Sequence, residues 1–226
     1  MISMLEQKFE KSRFTRVDSD VIDRLIAKEE HKEANLESNQ REILSSVFRS
    51  QLPQIKKVEF NVETQALGEN GAPIMITQSE YMRRMKEMAN IQAGMSFYGE
   101  MPNMYNLVLN ADHKLVKQVL TDADNSCKAA LEPIESEMAS LNNRRKELQK
   151  AQEGKKTEDI PQAEKDELND IEKKISDETT KKQAVLGEYA NGNKIIHQLI
   201  DLALLQNNML KGEALTNFVK RSIELI

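Results

Sequence analysis

The spacing of apolar residues changes several times along this chain, and each change predicts a new element. From about Ala34 to Leu52 apolar residues recur at helical intervals and stop before Pro53, which predicts an amphipathic helix. The segment 58–62 then alternates apolar and polar residues as a half-buried strand does. Two glycines follow before a second apolar run at 73–76, so we expect the two strands to form a hairpin. A third strand is predicted at 104–109.

Methionine is concentrated between the second and third predicted strands. Seven of the eleven methionines lie in one stretch, namely Met75, Met82, Met85, Met88, Met95, Met101 and Met104. At about 100° per residue, a helix here carries one apolar stripe, whose members, with Met82 beside it, are Tyr81, Met82, Met85, Met88, Ile91 and Met95. Methionine is unbranched and adaptable, so the stripe suits a surface that contacts varied apolar partners. A face buried in the core fits the same spacing, and both interpretations stay open.

A heptad pattern follows over residues 121–190. Its first arm contains Cys127, Leu131, Ile134, Met138, Leu141 and Leu148, and its second contains Leu168, Ile171, Ile175, Val185 and Tyr189. A polar loop from about Glu153 to Gln162 separates the arms, so we predict an antiparallel helical hairpin projecting on the order of 30 Å. Polar residues occupy a few seam positions, among them Glu178 and Lys182. Pro133 is expected in a first turn or at a kink, and the loop is expected to tolerate cleavage.

Two strongly apolar helices are predicted at the end of the chain, on either side of Gly212. They need more partner surface than a small domain supplies, so a four-helix bundle with a second copy is the simplest solution. The candidate dimerisation residues are Ile195, Ile196, Leu199, Leu202, Leu205, Met209, Leu215, Phe218, Val219 and Ile223. The alternative is that the helical hairpin folds back and covers these helices.

Composition narrows the possible partners. The net charge is −5 and the basic clusters are short and interrupted by acids, which argues against nucleic-acid binding. No apolar stretch approaches the ~20 residues of a membrane span, and no signal peptide is recognisable. The single cysteine has no partner for an internal disulfide. We therefore expect a cytoplasmic protein that contacts neither membrane nor nucleic acid.

The search for chemistry finds little. Three histidines, His31, His113 and His197, stand apart from any ligand pattern, and no phosphate-binding loop follows a strand. Cys127 lies on a heptad seam, where a core role is expected. Asp112 is predicted as the N-cap of the helix that follows, with His113 in its first turn. We expect no catalytic residue, metal site or cofactor in this chain.

Three segments carry a resemblance to a known family. The run from Leu109 to Lys117, Leu-Asn-Ala-Asp-His-Lys-Leu-Val-Lys, resembles a segment of the bacterial ninety-kilodalton heat-shock chaperones. The runs Leu199–Leu205 and Asn217–Arg221 are similar to parts of their last two helices. The resemblance covers residues 1–120 and 191–226. Ala111 replaces a proline of the motif, and the stretch 121–190 is far longer than the connector we would expect.

The resemblance implies a domain division and a function. Residues 1–30 would be the tail of a middle domain, 31–120 and 191–226 a C-terminal dimerisation domain, and 121–190 a hairpin insertion. The implied fold is α+β, with a small three-stranded, mostly antiparallel sheet, and its last two helices dimerise. The Met-rich helix would contact client proteins. The ATP-binding domain of the family, which takes ATP and Mg, is expected to be absent from this chain.

The expected function is therefore homodimerisation and contact with unfolded or partly folded clients within an ATP-dependent chaperone. A coiled-coil scaffold or adaptor, whose hairpin is the main binding element, is the alternative from a different class. An enzyme is a distant third.

Overall fold

The computed structural model describes residues 36–78, 80–89, 101–153 and 160–224. Its elements, in chain order, are α1 Ser38–Ser50, β1 Val58–Gln65, β2 Ile74–Gln78, α2 Glu80–Ala89, β3 Asn103–Asn110, α3 Lys114–Gln152, α4 Gln162–Gly192, α5 Lys194–Gln206 and α6 Glu213–Glu224. The predicted α+β class, with a helical hairpin and two terminal helices, is confirmed. The segment interpreted as the tail of a middle domain, 1–30, lies outside the described residues.

The sheet is mixed, which corrects the mostly antiparallel arrangement expected from the sequence. Its strand order is β1-β3-β2, with β1 parallel to β3 and β2 antiparallel to β3. The predicted hairpin between β1 and β2 is therefore wrong, because β3 lies between them. The physical reason is burial: Leu107, Val108 and Leu109 are all 0% exposed, and successive strand residues point to opposite faces. A strand covered on both faces belongs at the centre of a sheet.

One face of the sheet carries the main core. Leu107 of β3 pairs in register with Val62 of β1 and Ile76 of β2, and Leu109 pairs with Ile74. Helices α1, α3 and α5 bring the residues that complete this core, among them Ile43, Leu44, Val47, Phe48, Val116, Val119, Ala123, Ile196, Leu199, Ile200 and Leu204. The base of the helical hairpin joins the same cluster through Cys127, Leu131, Leu186 and Ala190. Burial raises the pKa of the Cys127 thiol, in keeping with the predicted core role.

A buried asparagine at the end of β3 fastens the turn that follows β1. The side chain of Asn110 is fully buried; its Oδ1 accepts from the Leu67 amide at 3.1 Å, and its Nδ2 donates to the Gly68 carbonyl at 2.8 Å. Gly68 has φ of +79°, a conformation open to glycine. A Cβ on Gly71 would lie 2.7 Å from the Leu67 carbonyl oxygen, so this close approach also requires glycine. Asn110, in the segment that resembles the chaperone family, therefore has a structural role.

Asp112 and His113, which follow in the motif, have different roles from those predicted. His113 is the N-cap of α3, since its Nδ1 accepts from the Leu115 amide at 3.2 Å. Asp112 instead accepts from the Gly68 amide through Oδ2 at 2.9 Å. The predicted N-cap at Asp112 is wrong because the glycine turn takes that carboxylate. Sequence spacing along one helix gives no sign of a turn 44 residues upstream.

The helical hairpin is confirmed, but it starts earlier than expected. Helix α3 begins at Lys114, so its first two turns belong to the sheet core, and it continues through Pro133, which is not in a first turn. Near the far end Arg144 Nε lies 2.7 Å from Glu167 Oε1, joining the arms in antiparallel order. The central part of the predicted tip loop, residues 154–159, lies outside the described residues.

Replacing Asn110 with alanine tests the importance of the fastening. The change leaves the Leu67 amide and the Gly68 carbonyl without their side-chain partner, and we expect a loss of about 1–3 kcal/mol in the free energy of unfolding. Urea denaturation followed by circular dichroism measures it. Asn106→Ala, on the same strand but only half-buried, is the matched control and should cost clearly less. Equal effects of the two substitutions would contradict the role given to Asn110.

Candidate interaction surfaces

Among the described residues, exposed large apolar side chains occur on α2, on β3 and on the two terminal helices. Met88 on α2 and Met104 on β3 are each 42% exposed. On the terminal helices the exposed set is Leu202 at 38%, Leu205 at 36%, Val219 at 48% and Ile223 at 70%. Met88 is the exposed described member of the predicted client-contact surface, and the four residues on the terminal helices are the exposed members of the predicted dimerisation surface. Met104 was not part of either prediction.

The terminal helices form an antiparallel pair, with polar contacts between the first half of α5 and the last turn of α6. Lys194 Nζ lies 2.7 Å from Glu224 Oε2, and Gln198 Nε2 donates to Ser222 Oγ at 2.6 Å. One turn further along α5, Asp201 contacts Arg221. Residue numbers thus rise along α5 as they fall along α6. The pair is a fixed scaffold on which outward side chains keep their places.

The Asp201–Arg221 contact is partly shielded from water. Burial raises the pKa of the Asp201 carboxyl, while the neighbouring Arg221 guanidinium acts in the opposite direction. The folded state therefore holds this proton more tightly than the unfolded chain does. Ionisation of Asp201 as the pH rises therefore weakens folding because the carboxyl is partly buried, and the contact with Arg221 offsets part of that effect.

The predicted dimerisation residues divide into three groups. Ile196 and Leu199 are 0% and 5% exposed, because they pack into this chain's own core. Ile195, Met209, Leu215 and Phe218 are half-buried against that core. Leu202, Leu205, Val219 and Ile223 face outward, and no described part of the hairpin covers them. Only the last group, with the margins of the second, is free to meet another chain.

Helix α5 therefore has an inner and an outer apolar face. The inner face packs on the sheet core. Leu202, on the outer face, lies seven positions from Ile195, so these two residues share a second stripe along the helix. On α6, where none of the described residues is buried, Val219 and Ile223 stand one turn apart. The prediction from sequence saw α5 as apolar around nearly its whole circumference, which hid the division between inner and outer faces.

The Met-rich helix is described only over Glu80–Ala89. Lys86 Nζ donates to the Met101 carbonyl and to Asn103 Oδ1, the latter at 2.7 Å, which fastens α2 to the start of β3. Burial, then the charge of Lys57, lowers the pKa of Lys86. Met85 is half-buried and Met88 is exposed. The side chains of Tyr81 and Met82, together with Ile91 and Met95, lie outside what the structure describes.

Met104 is the residue that the sequence prediction left out of this surface. It stands next to Asn103, which Lys86 holds, and so lies at the junction of α2 and β3. The signal for it was strand alternation: Tyr105, Leu107 and Leu109 turn toward the core, so even-numbered residues of β3 turn to the other face. Exposure of Met104 follows from that parity together with its place at the strand's open end.

The remaining candidate chemistry is accounted for by structure where it is described. His113 caps α3, and His197 Nε2 lies 3.1 Å from the Asn191 carbonyl oxygen. His31 lies outside the described residues. Within the described ranges no group of three or more His, Cys, Asp or Glu residues is placed to hold a metal ion. Over the same ranges, no helix has the length and apolar character needed to cross a bilayer.

Comparison with known proteins gives a consistent family. The chain is 69% identical over 226 residues to "Chaperone protein HtpG" of Bacteroides fragilis, and 67% identical over 226 residues to that of Bacteroides thetaiotaomicron. It is 45% identical over 228 residues to the HtpG of Porphyromonas gingivalis. No family model and no solved structure matches it. These relatives are all named as chaperones.

At 67–69% identity over its whole length, this chain corresponds to a fragment of HtpG. Each of the three matches covers the whole of this chain and 33% of the relative, so the chain spans about a third of the length of the curated relatives it matches. Because the alignments run over 226 and 228 residues, the relatives carry a counterpart of the helical hairpin as well. The hairpin is therefore shared with these HtpG proteins and is not peculiar to this chain.

Proposed function

We propose that this chain is the self-association and client-contact region of an HtpG chaperone that assists protein folding. It acts through association and makes no covalent change itself, and the proposal assigns no ATPase residue to it. The observation that supports it best is the group of four exposed apolar side chains on α5 and α6. Membership of the HtpG family supports the chaperone role.

Self-association is favoured because it removes the exposed apolar side chains of α5 and α6 from water. Leu202, Leu205, Val219 and Ile223 stand on two helices that are already fixed to each other and to the core. A second copy offers the same two helices, and a twofold arrangement of the pairs makes a four-helix bundle in which both exposed sets are buried. The partner is thus supplied by the chain itself.

Client contact is proposed for the junction of α2 and β3. Met88 and Met104 present flexible thioether side chains, which adapt to apolar partners of different shapes. Lys86 holds the helix in place, so the surface is presented from a fixed support. Tyr81, Met82, Met85, Ile91 and Met95 complete the proposed site as the sequence pattern gives it.

A scaffold whose hairpin is the main binding element is the second candidate, and the antiparallel arms favour it. Deleting the whole predicted insertion, 121–190, is not a clean test, because Cys127, Leu131, Leu186 and Ala190 belong to the domain core. Removing residues 141–173 and joining Ser140 to Lys174 through a short glycine-rich turn leaves that core intact.

The shortened chain is expected to remain a dimer in sedimentation equilibrium, because the proposed interface lies on α5 and α6. The scaffold hypothesis expects loss of assembly from the same deletion. A folded monomer would therefore favour the scaffold hypothesis over the chaperone hypothesis.

Charge on the terminal helices should separate the dimer. In Leu202→Glu combined with Val219→Glu, burying two carboxylates in the proposed bundle is unfavourable, so we expect a monomer at concentrations where the unchanged chain is dimeric. Light scattering measures the mass. Asn217→Glu is the matched control, since this exposed residue lies on another side of α6 and should leave the dimer intact. Undiminished dimer affinity in the double variant would reject the interface.

Charge at the methionines should weaken client binding alone. We expect Met88→Glu with Met104→Glu to keep the free energy of unfolding within about 1 kcal/mol, because both side chains are exposed. Binding of a reduced, carboxymethylated model polypeptide should weaken several-fold in fluorescence titration. Asn217→Glu again controls for added charge. A large loss of stability would show that these methionines are core residues and reject the client-contact proposal.

A further inference from the structure

A buried lysine connects three helices at the base of the hairpin. Lys182 of α4 has a side chain only 5% exposed. Its Nζ lies 3.0 Å from Asn39 Oδ1 and 3.1 Å from Glu42 Oε2, both on α1. It also lies 3.1 Å from Glu135 Oε1 on α3, an ion pair without hydrogen-bond alignment. These four residues are called the Lys182 cluster.

The Lys182 cluster lies where the hairpin leaves the domain. Toward the sheet, the arms contribute Leu131 and Leu186 to the domain core. Away from it, the buried apolar side chains of the arms are Leu148 and Ile171, and neither belongs to that core. The α3 segment from 136 to 152 thus projects roughly 25 Å with contacts between the two arms. At this point the cluster joins α1 to both arms.

Lys182 occupies a seam position of the hairpin, where apolar residues are usual. Burying an ammonium group costs free energy, and replacing a buried ion pair by apolar residues is often neutral or stabilising. Polar seam residues are known instead for setting register and arrangement, as in coiled coils. Glu42 and Glu135 keep 49% and 38% of their side chains exposed, so water shares the task of solvating the carboxylates. The lysine therefore contributes more to geometry than to stability.

We propose that the Lys182 cluster is a positional clamp that fixes the direction in which the hairpin leaves the domain. By holding α1 against both arms at the exit point, it makes the projecting hairpin one rigid body with α1 and the sheet. Without the clamp, the last fixed point moves back to Leu131 and Leu186, and the free part of each arm grows by about one turn. The same contacts define the register of α4 against α3.

The clamp is tested by measuring the direction of the hairpin. In a Cys127→Ala background, spin labels at Glu59 on β1 and Asn169 on α4, both exposed, report the distance from sheet to hairpin by pulsed electron paramagnetic resonance. Labelled chain is diluted in excess unlabelled chain, so that only distances within one chain are seen. We expect one narrow distance distribution, which becomes at least twice as wide in Lys182→Met.

Lys174→Met is the matched control, because it removes the same charge from an exposed position of the same helix and should keep the narrow distribution. Asn39→Ala with Glu42→Ala removes the α1 side of the cluster and leaves Lys182 paired with Glu135. It should broaden the distribution as Lys182→Met does, and it serves as the test if Lys182→Met loses its helical circular dichroism. A narrow distribution in either folded variant would overturn the clamp.

Discussion

Polar groups at the end of β3 join the sheet, the turn after β1 and the longest helix. Within four residues, the Asn110 amide donates to the Pro73 carbonyl, the Ala111 amide donates to the Gln65 carbonyl, and His113 starts α3. The side chains of Asn110 and Asp112 also accept hydrogen bonds from the turn after β1. One short segment thus ties both outer strands to the longest helix. Because Asn110 and Ala111 are buried, their polar groups must be paired within the protein, and that requirement admits few other arrangements.

The positions of the remaining helices follow from this hydrogen-bonded segment. Helix α3 leaves it in a fixed direction, and α4 returns alongside α3, so that α5 begins near the sheet it must cover. The Asn193 side chain accepts from the Ile195 and Ile196 amides and caps α5 where α4 ends. This places the inner stripe of α5 on the core and leaves Leu202 outside. The outer apolar residues are therefore exposed because other residues already complete the core.

The sequence was sufficient for the elements whose evidence is local. Heptad spacing along one chain predicts a helical hairpin because the pattern repeats within each arm, and both arms are present. Strand order was not available in the same way, because the parallel pairing of β1 with β3 joins residues about 45 positions apart. The role of Asp112 was missed for the same reason, because its carboxylate accepts from the Gly68 amide, 44 positions upstream. With Asp112 held there, His113 caps α3.

The candidate surfaces show a similar limit. Apolar spacing located the terminal helices, yet it could not separate Leu199 from Leu202, since both are leucines on a helix that is apolar nearly all round. Only the position of the sheet assigns one to the core at 5% exposure and the other to the outside at 38%. Polar residues define one further side of α5, because Gln198 and Asp201 contact α6. On a helix of this kind, the few polar side chains define the faces, and the many apolar ones follow.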